Sequence, residues 1–304
     1  TNFLNPYRLS LSKSVNESIE KLNVESATTA AAIFICLGTI QTVAKNDYYN
    51  KYLRNMSINI PKYDKCSADN IFSILQNDFM NAASNITKIS CVHEAVSEAF
   101  RKSSDPDLVI QFDLNEINPL NSIEEYSKNL KQILKKVSSQ YPNISNELVL
   151  KIPHIRKEIL KFSQKLPPSI DQNSAFSIIA QVFSSFQDLY IKQTSEEIKK
   201  LFFKSFYQPS GSTSSSVDVK AISLNCEAIQ NRLLKLDSDL LTNFKDTIVG
   251  LANQFMKMSK SPKESYKKSA SESKQTVSQC LQSIATRLFS DDVGSQIIQI
   301  IEAA

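Results

Sequence analysis

An all-α fold of two or three packed helical-bundle units, some of them repeated, is what this 304-residue chain predicts, on three grounds. Isoleucine, leucine, valine and phenylalanine recur every three or four residues through most of its length, the period that lines one face of an α-helix. Glycine occurs only at Gly38, Gly211, Gly250 and Gly294, which leaves few positions for the left-handed turns of a β protein or for a glycine-based phosphate cradle. Three apolar segments, residues 28–40, 173–183 and 276–284, also recur in similar form. The last two lie about a hundred residues apart, which suggests a small bundle used more than once. With 41% hydrophobic and 22% charged residues, the composition is globular and not disordered.

Residues 1–120 form the N-terminal helical unit, with helices predicted near 8–23, 26–45, 67–82 and 86–102. The run from Ala30 to Gly38 is the most hydrophobic of the chain but too short to span a bilayer, so it reads as a core helix. Residues 121–216 form a four-to-five-helix bundle. Its first helix opens on Ser122-Ile123-Glu124-Glu125, a capping-box pattern, and carries Ile123, Tyr126, Leu130, Ile133, Leu134 and Val137 as one stripe before Tyr141-Pro142 ends it. A second helix presents Leu148, Ile152, Ile155, Ile159 and Phe162, with Pro153 forcing a kink or a fresh start, and stops at Pro167-Pro168. The third carries Phe176, Ile179, Phe183, Phe186 and Tyr190; a fourth is expected to open on a second capping box, Thr194-Ser195-Glu196-Glu197. Ser210 to Ser216 is a serine- and glycine-rich break.

Residues 217–304 form the C-terminal helical unit. Ile222, Cys226, Ile229, Leu233, Leu236, Leu240, Phe244, Ile248, Leu251 and Phe255 repeat at helical intervals, as one long helix or as two separated near Asp237-Ser238-Asp239, where an N-cap fits. Ser261-Pro262 breaks the run, the helix of Cys280 follows, and residues 293–301 close the chain with a short apolar helix. Residues 89–96 resemble residues 222–229, a further hint of internal repetition.

Catalytic constellations are missing. Only His93 and His154 exist, so a Ser-His-Asp or Cys-His arrangement would rest on one of two unsupported residues. His93-Glu94 lacks the second histidine, four residues on, that places two zinc ligands on one helical face. No dinucleotide fingerprint, phosphate-binding loop or calcium loop is present. The pairs Glu124-Glu125 and Glu196-Glu197 fall in expected first turns, where negative charge offsets the helix dipole. A non-enzymatic protein with no cofactor and no metal follows as the expectation.

The net charge of +4 is small and its lysines are dispersed among acids, which argues against a nucleic-acid partner. The densest basic run, Lys257, Lys260, Lys263, Lys267, Lys268 and Lys274, reads as a solvated loop and helix face, with an anionic partner as the sharper alternative. Asn16, Asn55, Asn85 and Asn143 begin N-glycosylation acceptor triplets and permit a secreted location. Cys36, Cys66, Cys91, Cys226 and Cys280 are too far apart for a zinc site; they allow two disulfides with one thiol over, which could link chains, or five small buried side chains. A secreted protein is expected, with any leader removed or outside the sequence. The 16 phenylalanines and 10 tyrosines, without tryptophan, read as core packing, or as the lining of a lipid-filled cavity.

Residues 198–211, Ile-Lys-Lys-Leu-Phe-Phe-Lys-Ser-Phe-Tyr-Gln-Pro-Ser-Gly, resemble the A-x-x-x-x-L-x-S-A-F-Y-Q-x-x-G stretch of spider silk protein (spidroin) N-terminal domains; Phe206-Tyr207-Gln208 with Gly211 carry most of the match. Asn173-Ser174-Ala175-Phe176 resembles the N-x-A-F start of that domain's third helix, and residues 255–261 resemble its M-D-K-M-A-R-S segment. The resemblance implies five-helix bundles and a structural, self-assembling role. It does not extend to that family's acidic pH-sensing residues, for which no carboxylate stands near Leu150 and Lys151. Three functions are therefore expected in turn: a secreted, silk- or matrix-like assembly protein that associates with itself or another extracellular protein; a parasite or salivary helical protein that engages a host molecule; or a carrier of lipid or another hydrophobic ligand.

Overall fold

In the computed structural model the described residues are 5–56, 63, 66–103, 113–204, 219–259, 269–289 and 292–303. Among them are fourteen α-helices and no strand, so the fold is all-α as the periodicity predicts. The Phe206-Tyr207-Gln208 and Gly211 match, the break at 210–216, and Ser261-Pro262 with Lys260, Lys263, Lys267 and Lys268 lie outside the described residues. The chain forms two compact units, Thr1–Phe186 and Gln187–Ala304.

The first unit contains α1 (Asn5–Glu20), α2 (Val24–Cys36), a π-helical turn (Thr42–Tyr49), α3 (Asn50–Asn55), α4 (Ile71–Lys102), a 3-10 turn (Leu114–Ile117), α5 (Pro119–Gln140), α6 (Pro142–Leu150), α7 (Ile152–Gln164) and α8 (Gln172–Val182). Helix α4 is its axis. It packs against α2 most extensively and also against α3, α5 and α7. Ile71, Leu75, Phe79, Ala82, Ile86, Ile89, Val96 and Phe100 are buried along its length, so it has apolar neighbours on nearly every turn. The sequence reading ended one helix near residue 82 and began another near 86. The structure runs straight through, because Ala82, Ala83 and Ile86 are buried and Asn85 turns its amide onto the Asn81 carbonyl at 2.8 Å. Since α5 packs on α4, the boundary expected at residue 120 falls inside this unit.

Helix starts differ from the capping-box reading in a consistent way. Helix α5 begins three residues before Ser122, at Pro119, with Asn118 accepting the Leu120 N–H at 2.9 Å. Ser122 is instead fully buried and donates to the Pro119 carbonyl, which moves Glu124 and Glu125 into the second turn. Likewise α9 (Ser184–Lys204) passes through Thr194 and Ser195 without a break; both are buried, and the Ser195 hydroxyl receives a hydrogen bond from Thr247 at 3.1 Å. The chain breaks earlier, at Phe183, whose ring is buried against Phe79 while its N–H bonds three residues back to Ala180. Elsewhere the punctuation is as predicted: Pro142 and Pro153 sit in the first turns of fresh helices, and α7 ends before Pro167.

The second unit contains α9, α10 (Val219–Leu233), α11 (Ser238–Thr242), α12 (Lys245–Ser259), α13 (Ser269–Leu288) and α14 (Asp292–Glu302). Asp237 caps α11 through the Leu240 N–H at 3.0 Å, so the long apolar run is divided where the sequence placed a cap. Helix α13 packs on α10 and on α14, and α14 packs on α12. Leu233, Phe244, Ile248, Val277, Ile284 and Ile297 make the core. Gly294 permits the tight approach of α14 to the end of α13, since a Cβ there would overlap the Phe289 carbonyl oxygen.

Candidate functional site

Helix α2 concentrates the features that distinguish this chain from a closed bundle. Asn23 caps its start by accepting the Ser26 N–H at 3.0 Å. Its end is a Schellman turn: Gly38, at φ +62°, donates to the Ile35 carbonyl at 2.9 Å, and Thr39 donates to Phe34 at 3.0 Å. Ala27, Ala30, Ala31, Phe34 and Ile35 face inward, and the small alanines let α2 lie close along α4. The opposite face is open to solvent. Ile33 and Leu37 are one turn apart and remain 44% and 47% exposed, with the exposed Cys36 between them.

Behind α2 lies a small apolar hollow with room for about 20 Å³, walled by Val15, Ile19, Phe34, Val43, Val92 and Val96 among others. Tyr48 supplies its polar edge; the hydroxyl donates to the Ser12 carbonyl at 3.2 Å, and burial pushes the phenol up to about 12. Among the described residues that line it, none is charged.

Two polar clusters lie elsewhere in the first unit. Tyr63 donates to the Asp78 carboxyl at 2.7 Å, and burial beside Asp78 pushes the Tyr63 phenol far above its usual value. Tyr126, buried nearby, has a hydroxyl with no hydrogen-bond partner among the described residues. The second cluster joins α4 to the loop before α8. Ser169 donates to Glu94 at 2.5 Å, Ser90 donates to the same oxygen at 3.1 Å, and the two hydroxyls are 3.0 Å apart. His93 stands next to Glu94 in sequence and is half-buried; desolvation lowers its pKa, with Glu94 opposing. Both clusters tie elements together by hydrogen bonds to a carboxyl group.

The residues singled out in the sequence are scattered. His154 is exposed at the start of α7, in edge contact with Phe72 at 6.2 Å. No two cysteines stand at disulfide-bonding distance: Cys36 is exposed, Cys66 half-buried, and Cys91, Cys226 and Cys280 buried. Neither of the two disulfides that the sequence allows is present, although Cys226 and Cys280 lie on helices that pack together and each thiol affects the other. Of the acceptor asparagines, Asn55 and Asn143 are exposed and Asn16 is half-buried, donating to Ser12 at 3.0 Å. Asn85 is a correction: it is buried on α4 with its amide nitrogen committed to Asn81, so folding closes it to glycosylation. Glu196 and Glu197 pair with Lys199 and Arg232 rather than capping a helix.

Sequence reasoning missed Tyr63 and Asp78 and read Tyr126 only as part of an apolar stripe; the one signal was Asp78, a carboxyl between Leu75 and Phe79 on the buried stripe of α4. Among the described residues no three metal-ligating side chains converge, and no helix is long and apolar enough to cross a membrane. The class these features define is an all-α protein whose distinguishing surface is an exposed helix face. Set against protein-family models, curated proteins and solved structures, the chain matches none.

Proposed function

We propose that this chain is a non-enzymatic, extracellular helical protein, silk- or matrix-like, that associates with copies of itself through the outer face of α2. The observation that carries the reading is the exposed Ile33–Cys36–Leu37 surface. Two such faces meeting across a twofold axis bring each apolar pair onto its own copy and Cys36 toward its counterpart. The apolar area is small, so association through it alone is weak, and a Cys36–Cys36 disulfide in an oxidising compartment makes it durable. The exposed acceptors Asn55 and Asn143 and the resemblance of residues 198–211 to silk domains support the extracellular setting.

Size-exclusion chromatography with light scattering tests this. The expected result is a molar mass that rises with concentration, falls in the Ile33→Glu/Leu37→Glu double variant, and loses its reductant-sensitive part in Cys36→Ser. A monomer at every concentration, pH and redox condition sinks the proposal.

Hydrophobic-ligand carriage is the second reading, favoured by the apolar hollow behind α2. Pockets for drug-sized ligands measure roughly 300–1,000 Å³, so this hollow, at about 20 Å³, has to widen for carriage. Native mass spectrometry of the purified chain decides it: a retained small ligand supports carriage, and an unloaded mass removes it.

A further inference from the structure

The second unit contains a pair of thiols that its packing brings together from residues far apart in sequence. Cys226 lies three residues before Ile229 and seven before Leu233 on the buried stripe of α10; Cys280 lies between Val277 and Ile284 on the buried stripe of α13. These stripes face each other because α10 packs along α13. We propose that Cys226 and Cys280 form an oxidisable dithiol, a covalent modification site that a small-molecule disulfide converts into an intramolecular Cys226–Cys280 bond joining α10 to α13.

Geometry supplies the support. Both residues lie on buried stripes of two helices that pack together, near enough for each thiol to affect the other, so the bond joins neighbouring elements with no exchange of helices. Both thiols are buried, with 9% and 8% of their surface exposed, so the small disulfide reaches them when the seam between α10 and α13 opens locally. Electrostatics orders the steps. Interaction with Cys280 lowers the Cys226 thiol, which makes Cys226 the attacking sulfur. Burial pushes the Cys91 thiol up to about 11, so it is a poor competitor.

In the first step the Cys226 thiolate attacks one sulfur of the small disulfide, forming a mixed disulfide and releasing one small thiolate, which takes a proton from solvent. In the second, Cys280 gives up its proton to solvent and attacks the Cys226 sulfur, expelling the other small thiol. Two protein thiols are oxidised and one small disulfide is reduced to two thiols. This reaction belongs to the second unit and is independent of the α2 face.

The test is made on the full chain, incubated with oxidised glutathione, alkylated in denaturant, digested and mapped by mass spectrometry. A cross-linked Cys226–Cys280 peptide is expected, with both residues protected from alkylation and Cys91 still alkylated. Closing so long a loop is expected to raise the thermal midpoint of the Cys36→Ser chain by about 10 °C, reversed by reductant; the Cys36 background keeps chain-to-chain bonds out of the measurement. Three results overturn the proposal: Cys226 and Cys280 both alkylated after Cys36 has reacted, a stable glutathione adduct on Cys226 without the cross-link, or Cys280 bridged to a different cysteine. Because the mapping uses the unsubstituted pair, a variant that fails to fold does not affect it.

Discussion

Two buried tyrosines in the first unit differ by a single hydrogen bond. The Tyr63 hydroxyl donates to Asp78 at 2.7 Å, whereas the Tyr126 hydroxyl is buried without a partner among the described residues. Removing one half of a buried hydrogen bond leaves the other half desolvated, while removing an unsatisfied hydroxyl relieves a penalty. Tyr63→Phe is therefore expected to destabilise the chain by about 1–3 kcal/mol, and Tyr126→Phe to be neutral or stabilising by up to about 1 kcal/mol. Urea unfolding of the two variants checks the pair; equal losses would show that the Asp78 carboxyl is indifferent to its tyrosine. Arg156 illustrates the complementary solution, a buried guanidinium held over the Phe176 ring at 5.2 Å.

At the scale of elements, α1 and α2 end in the same way with different residues. Asn23 donates to the Ser18 carbonyl and Leu22 to Ile19, the same Schellman pattern that Thr39 and Gly38 make at the end of α2. Leu22 therefore sits at φ 53°, in the left-handed region that a side chain adopts at a cost, whereas Gly38 at φ 62° does so freely. Opposite substitutions are expected to have opposite signs. Leu22→Gly should stabilise by about 1 kcal/mol and Gly38→Ala should destabilise by about 1 kcal/mol. A Cβ at Gly38 meets no atom within 4 Å, so the second change measures backbone strain alone. Thermal melts of both variants decide the matter, and a loss of stability in Leu22→Gly would mean that the half-exposed leucine side chain contributes more than its backbone costs.

For the whole molecule, acid stability follows from groups whose folded pKa values lie below their unfolded ones. Glu20 is lowered by its hydrogen bond with Lys88, at 2.5 Å, with desolvation opposing. Its contribution is present above the unfolded value of 4.5 and is lost as pH falls through the folded pKa. His93 is lowered by desolvation, so below 6.5 the unfolded chain takes up a proton that the folded chain resists. Stability is thus expected to decline in two stages, the first beginning below pH 6.5 and the second below 4.5. Denaturant midpoints measured from pH 7.5 to 3.5 should show both, with His93→Gln flattening the first and Glu20→Gln reducing the second. A His93→Gln profile superimposable on the parent excludes the histidine as the source.

How much of this was legible in the sequence depends on whether a feature belongs to consecutive residues or to residues that meet. Helical periodicity, the Asp237 cap and the fresh starts at Pro142 and Pro153 are local: each follows from side chains and φ values within one or two turns, and all were readable. Ser122 and Thr194 were misread because a hydroxyl three residues before a glutamate looks the same whether it caps a helix or is buried within one; only the neighbouring elements decide that. The α2 surface was half legible, since the sequence shows its apolar residues but not which of them α4 covers. By itself, then, the sequence determined that this chain is all-α and where many of its helices start and stop, because propensity, capping and stripe spacing are short-range properties. The tertiary structure alone decided that Asn85 is closed, that Tyr63 meets Asp78, that Ile33 and Leu37 stay open and that Cys226 meets Cys280. Those outcomes depend on which stripe packs against which, a choice made by burial of surface across long separations and written in no single segment.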